Sequence, residues 1–349
     1  MAKGSGKVIG FMVCGPGEAD RYLERSLKEF KRLCDDALIV SNNADKKTTD
    51  LIDEYGYSWY ADNREWGVHQ PRIKTLLLEN IGRNYNPDWV LPLDADEVYG
   101  DSFTRDELER LMDTSALAYY FYLVNLWDDE GRYKKSISFW NIRAFKYAPK
   151  WGLHFLKRNV HCGLAPPYAY RYGRYAPHII KHFGLLKRSD RMKKVKRYQK
   201  YDANADKIGI GGWYEALSSQ AKGSEFVETE VQKKVEEEVR RMNQNLNKKF
   251  TMPEEKVYVF LYDPKSGREF DVPKKQVDKY LKRGCEVISE VEIPGLDEPE
   301  APVIEKPEAK AVGTFAKGMT CDAEGCDFAG ISAGGLKRHK TMKHGKKKE

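Results

Sequence analysis

The sequence predicts an α/β protein: a mostly parallel sheet with helices on both faces, followed by small C-terminal modules. Three observations carry this. Strand-like apolar runs alternate with amphipathic helical segments over the first hundred residues. One such run, Trp89-Val90-Leu91-Pro92-Leu93, ends abruptly in Asp94-Ala95-Asp96-Glu97. Near the C-terminus stands the spacing C-x4-C-x12-H-x4-H.

Residues 7–13 are apolar and β-branched and open the alternation as a strand. In 19–33, Tyr22, Leu23, Leu27, Phe30 and Leu33 recur at helical spacing. Strands at 37–40 and 58–60 flank a helix at 46–55. A helix at 71–81 is opened by Pro71, whose fixed φ and missing N–H suit a first helical position. Residues 88–93 make the fourth strand. Strands separated by helices lie parallel, and such sheets bind ligands beyond the carboxyl ends of their strands. The 94–97 cluster lies at one of those ends.

A helix at 104–112, a strand at 118–126, a polar turn at 127–131 and short strands through 145 follow. Residues 150–185 are rich in His, Tyr, Arg and Gly and show little periodicity. Segments 187–205 and 225–248 read as helices, the second heavily charged. The expected organisation is a main domain over 1–250, a ββαβ module over 254–292, a Pro/Glu/Ala-rich linker over 293–317, and a last module over 318–349.

Composition narrows the class. The chain has 349 residues, 41% of them apolar, and a formal charge of +7. That length supports one large domain with appended pieces, and that charge favours polyanionic partners. No apolar run is long enough to span a membrane. The N-terminus starts basic, but its apolar part is short and cut by Gly and Pro, which reads as a strand and not a signal peptide. Four cysteines, Cys14, Cys34, Cys162 and Cys285, are scattered; only Cys321 and Cys326 are neighbours. This usage fits a reducing, cytoplasmic compartment.

Carboxylates crowded at a strand end raise each other's pKa. A bare D-x-D is common as a helix cap or a solvated turn. Its position here favours a divalent cation instead, and hard oxygen ligands select Mg²⁺ or Mn²⁺. Such sites usually complete their shell with substrate phosphates. Were the strand to continue, Asp94 and Asp96 would project the same way, with Glu97 turned away and supporting the turn.

The stretch "WVLPLDADE", with "REWGVHQPRIKTL" upstream and "LVNLWDDEGRY", "SFWNIRAFKY" and "HIIKHFGLLKRSDRMKKVKRY" downstream, resembles the nucleotide-sugar-dependent glycosyltransferases of family 2. The resemblance spans residues 7–200 and implies their Rossmann-like GT-A fold. It implies Asp96 as a metal ligand on the donor's diphosphate, with Asp94 toward the nucleoside or metal, and His182 reaching the metal or diphosphate. Lys187, Arg188 and Arg191 would close over the diphosphate, and Arg64, Arg72 and Lys74 are candidates for phosphate or nucleotide. Asp128 and Asp129 are candidate bases for an acceptor hydroxyl, because the turn they occupy matches the acceptor-facing loop. The chain departs from the family after its second strand: Asn42 and Asn43 stand where carboxylates grip the base, and only Asp45 keeps the match. The expected reaction moves a sugar from a nucleotide-sugar donor to an acceptor hydroxyl, with inversion. A metal Lewis acid would stabilise the departing diphosphate.

The spacing of Cys321, Cys326, His339 and His344 fits tetrahedral Zn²⁺ and resembles a single zinc finger with a ββα fold. Phe328, Ile331 and Leu336 are too small a core to fold without metal. The base-reading positions of such a finger fall on Ser332, Gly335 and Arg338, of which two are poor base readers. Lys337, Arg338, Lys340, Lys343 and the 346–348 tail suit non-specific nucleic-acid contact, or the module docks on protein. The acceptor is left open among glycan, protein and nucleic acid. Two alternatives stand beside the main reading: glycosylation of modified nucleic-acid bases, and a non-catalytic binding protein on a transferase fold.

Overall fold

The fold is that of a computed structural model, which describes residues 6–156, 162–201, 217, 222–249, 256–263, 268–273, 277–293, 319–320 and 329–330. The chain opens with β1 (Val8–Cys14), α1 (Leu23–Leu33), β2 (Asp36–Ser41), α2 (Lys46–Glu54), β3 (Ser58–Ala61), α3 (Trp66–Tyr85) and β4 (Trp89–Pro92). These strands lie side by side in the order β3-β2-β1-β4, and all three pairings are parallel. Side-chain alternation builds a core on each face. On one face Val8, Met12 and Ile39 pack with Leu23, Leu27 and Phe30 of α1. On the other, Ile9, Phe11 and Val40 pack with Ile73, Leu77 and Ile81 of α3.

The helix expected at 71–81 starts at Trp66, so Pro71 lies inside α3. Pro at that depth removes a helical hydrogen bond and costs about 3 kcal/mol in general. Tertiary contacts hold the extra turn. Glu65 caps it through its carbonyl, Gln70 is buried, and Lys74 sits 5.3 Å over the Trp66 ring.

After β4 come β5 (Glu97–Tyr99), α4 (Arg105–Met112), β6 (Ala118–Trp127), β7 (Asp129–Tyr133), β8 (Phe139–Lys146), α5 (Pro167–Tyr172), β9 (Gly173–His182), α6 (Arg188–Tyr201), β10 (Ser224–Glu225) and α7 (Glu228–Lys249). β8 joins β4 antiparallel and β6 joins β8 antiparallel, extending the parallel sheet to the far edge strands β7 and β10. β9 pairs parallel with β6 and antiparallel with β5. The α/β class and its parallel first half match the expectation, and in the second half every described pairing but β6–β9 is antiparallel. β9 was hidden in the stretch that showed no periodicity, although Ala176, His178, Ile180 and His182 alternate into the interior.

β11 (Lys256–Asp263), β12 (Arg268–Pro273), α8 (Val277–Leu281) and β13 (Glu286–Ile293) follow, with strand order β12-β11-β13. Finally β14 (Met319–Thr320) pairs antiparallel with β15 (Ala329–Gly330). Cys321 and Cys326 fall between these two strands in sequence. These cysteines, His339 and His344 lie outside the described residues. Among the described residues, no helix is long and apolar enough to cross a membrane.

Candidate functional site

The acidic stretch divides in two. β4 ends at Pro92, so Asp94 and Asp96 stand in a turn and strand alternation does not orient them. The Glu97 amide bonds back to the Asp94 carbonyl at 3.1 Å, closing the turn. Glu97 does support the turn, accepting from the Asp94 amide at 3.1 Å, but it is turned into the protein. It is fully buried against Arg143 of β8, which donates to both carboxylate oxygens at 2.6 and 2.5 Å. The same guanidinium lies 3.7 Å from Asp94. One positive partner of the cluster is therefore a protein side chain.

Asp94 keeps about half of its side chain open (48%), yet the surrounding protein desolvates it. Desolvation, and then the Glu97 charge, push its carboxyl up. Asp96 behaves oppositely. Desolvation alone would raise it, but His182, Lys194 and Arg21 outweigh that and hold its carboxyl well below the usual range.

β9 delivers His182 to Asp96, because His182 pairs in register with Glu97 of β5 and with Asn125 of β6. The Asn125 amide donates to the Ile137 carbonyl at 2.5 Å, which turns its oxygen toward His182 Nδ1, also at 2.5 Å. Nδ1 is then an N–H, which leaves Nε2 to face Asp96 Oδ2 at 3.5 Å. A proton on Nε2 or a cation between the two atoms makes that approach favourable. Gly184 keeps the space between them clear. A Cβ there would meet Asp96 Oδ2 at 2.0 Å and His182 Nε2 at 2.8 Å. The donor set, one carboxylate oxygen and one imidazole nitrogen, fits Mn²⁺ or Mg²⁺ with its remaining ligands drawn from substrate and water. Among the described residues no cluster of three or more His, Cys, Asp or Glu is placed to hold a metal.

Cationic groups stand near these carboxylates. Lys194 of α6 lies within electrostatic reach of Asp96 and Asp94. Arg197, one turn on, acts on Glu18. Glu18 stands in a short 3-10 turn after β1, on the carboxyl side of the sheet. Desolvation and the Asp96 charge push its carboxyl up to about 7, against the opposing pull of Arg21 and Arg197. Its Oε2 is buried without a hydrogen-bond partner. Arg21 bridges Glu18 at 3.6 Å and Asp190 at 3.3 Å.

The remaining sequence candidates are dispersed. Asp45 caps α2, accepting from the Thr48 amide at 3.0 Å and the Gly17 amide at 2.5 Å. Arg64 is bonded to Asp62, and Arg72 and Lys187 are exposed. Lys74 is buried, not a surface charge, and donates to the carbonyls of Cys162 and Gly163. Arg191 is buried, stacks 3.8 Å over Trp127, and donates to the Leu185 and Leu186 carbonyls. It also holds Asp128 at 2.9 Å. Asp128 takes a left-handed φ of 70°, unusual for a non-glycine residue. Asp129 accepts from the Gly131 amide within its own turn.

Sequence reasoning did not single out Glu18, Asn125, Arg143, Gly184 or Lys194. Glu18 had a usable signal, since it follows β1 at the same sheet edge as the acidic stretch.

No protein-family model and no curated protein sequence matches the chain. Among solved structures, S. aureus TarS is similar over 82% of this chain and 77% of that chain, with 8% identity and a TM-score of 0.36. A TarS fragment, residues 1–349, aligns over 35% of each chain, so this chain spans about a third of it, with 11% identity and a TM-score of 0.25. CTP:phosphocholine cytidylyltransferase from Streptococcus pneumoniae aligns over 40% of this chain and 67% of that one, with 14% identity and a TM-score of 0.24. At these values the site is read from this chain's own residues.

Proposed function

We propose that the chain is a metal-dependent glycosyltransferase that moves a sugar from a nucleotide-sugar donor to an acceptor hydroxyl with inversion. The observation that carries this reading is the approach of Asp96 Oδ2 and His182 Nε2 to 3.5 Å, with Asn125 fixing the imidazole tautomer. Asp96 and His182 would hold Mn²⁺ or Mg²⁺, with Asp94 beside them toward the donor. Bound there, the ion supplies Lewis-acid stabilisation of the leaving diphosphate.

The chain's own groups do the rest. Lys194 and Arg197 add positive potential where diphosphate charge develops. Lys187, at the entry to α6, is placed to extend that potential, and Arg191 holds the helix in place. Arg64, Arg72 and Asp45 remain proposed contacts for the nucleotide. Asp128, oriented by Arg191 and still partly open to solvent, is the proposed base, with Asp129 beside it. As the acceptor oxygen attacks the anomeric carbon, its proton passes to the carboxylate and the bond to diphosphate breaks. The C-terminal module is proposed to hold Zn²⁺ through Cys321, Cys326, His339 and His344.

A thermal-shift panel of nucleotide sugars with Mn²⁺ tests the reading. At least one donor is expected to raise Tm only when Mn²⁺ is present, and to be hydrolysed slowly. A flat response across the panel contradicts it.

A further inference from the structure

Lys187 and α6 through Lys200 carry eight Lys or Arg residues and a single acidic one, Asp190, a local excess of +7. The whole chain's formal charge is also +7, so everything outside this stretch balances to zero. The cations fall into two rows. Arg191, Lys194 and Arg197 recur every third residue and act on Asp128, Asp96 and Glu18, Arg197 while itself exposed. Lys193, Lys196 and Lys200 share the outer face and are exposed. Lys200 pairs with Glu65 at 3.2 Å. Lys193 and Lys196 have no carboxylate partner among the described residues.

The first row has a use at the carboxylates. The outer row has none there, and like charges one turn apart repel and destabilise a helix. The helix is also held firmly. Arg191 anchors its start on Trp127, and Tyr201 at its end packs where a Cβ on Gly67 would collide, its hydroxyl bonded to Glu65 at 2.7 Å. The outer row is thus a fixed ladder of cations running from the β6–β7 junction to the start of α3. None of the exposed large apolar residues lies on α6, so this face lacks what a lipid surface or a peptide anchor would need. Charge spaced at one turn, about 5.4 Å, suits a partner whose own charge repeats along a chain.

We propose that the outer row of α6 seats a nucleic-acid strand through its phosphodiester backbone, beside Asp94 and Asp96. The role of that strand as acceptor rests on the transferase reading; its binding does not.

The test is fluorescence anisotropy of the full chain with labelled oligo(dT) of about 20 nucleotides, longer than the roughly 4–16 that one single-strand site covers. Salt is varied from about 50 to 200 mM. The expected result is binding whose log–log salt slope falls by about 1.4 in Lys193→Gln/Lys196→Gln, two phosphate contacts at about 0.7 each. Affinity at the lowest salt should drop about tenfold, and Lys193→Arg/Lys196→Arg should restore it. Mn²⁺-dependent donor hydrolysis should be the same in all three proteins. An unchanged slope and affinity in the Gln variant overturns the proposal. So does the absence of binding, or poly-glutamate competing as well as unlabelled oligo(dT). If the wild type binds the strand as expected but hydrolyses no donor, the transferase reading falls and the nucleic-acid seat stands.

Discussion

Glu97 and Asp96 are adjacent residues with opposite fates. Glu97 is sealed in the interior with both oxygens bonded to Arg143. Asp96 faces His182 Nε2 across 3.5 Å, with Gly184 keeping the gap open. Charge alone does not mark a site, since both residues carry it. What separates them is completion: one carboxylate has its partner within the chain, and the other is proposed to receive one.

The largest expected effect comes from breaking the completed pair. Arg143→Ala leaves Glu97 buried without its partner and should destabilise the fold by about 3–5 kcal/mol, read as a fall in the urea midpoint. A loss under about 1 kcal/mol would mean that water reaches Glu97 and that the two carboxylates are less different than described.

Breaking the open pair should act on function. Asp96→Asn should remove the Mn²⁺-dependent rise in Tm and lower donor turnover by about 10²–10³-fold, while the fold persists. If turnover survives, Asp96 is not the ligand.

Glu18 sharpens the comparison through pH. Its folded pKa rises from 4.5 to about 7, so the folded state holds this proton to higher pH than the unfolded state does. Its contribution to stability is complete below about 4.5 and is lost as pH rises through 7. Glu18→Gln removes that loss and should stabilise the metal-free protein at pH 8 by on the order of 2 kcal/mol. The advantage over wild type should close as pH falls toward 4.5, so a gap that stays constant would assign it to packing.

The smallest effect concerns His178, buried between Phe103 and Phe121 with both ring nitrogens unbonded. Its Nε2 lies 3.7 Å from Glu107 Oε2, close to the spacing of His182 and Asp96, but its Nδ1 has no hydrogen-bond partner to orient the ring as Asn125 orients His182. Desolvation, with Arg110, lowers its pKa to about 4, so stability is lost as pH falls from 6.5 toward 4. His178→Phe should add about 1 kcal/mol near neutral pH and remove that dependence.

The parallel half of the sheet was legible because each strand is a short apolar run and each helix an amphipathic one. Asp94, Asp96 and His182 were legible because chemistry-bearing residue types stand next to those runs. The roles of Glu97 and Arg191 were not. Glu97 finds Arg143 forty-six residues away across an antiparallel strand, a pairing that no local pattern encodes. Arg191 is one of many cations in α6, and its burial, its stack on Trp127 and its bonds to the Leu185 and Leu186 carbonyls show that it faces inward only once the chain is folded. Pro71 misled for a related reason: local propensity favours it at a helix start, but packing around Trp66 and Gln70 adds a turn before it.

Asp96 and His182 are proposed to receive a divalent cation together. Pulsed electron paramagnetic resonance of Mn²⁺ added to the full chain tests it directly, because an imidazole ligand couples its nitrogen to the Mn²⁺ electron spin. Histidine nitrogen coupling in the wild type, lost in His182→Gln and in Asp96→Asn, is the predicted result. Mn²⁺ that stays free in solution, or that binds with no nitrogen coupling or with coupling unchanged by both variants, would contradict it.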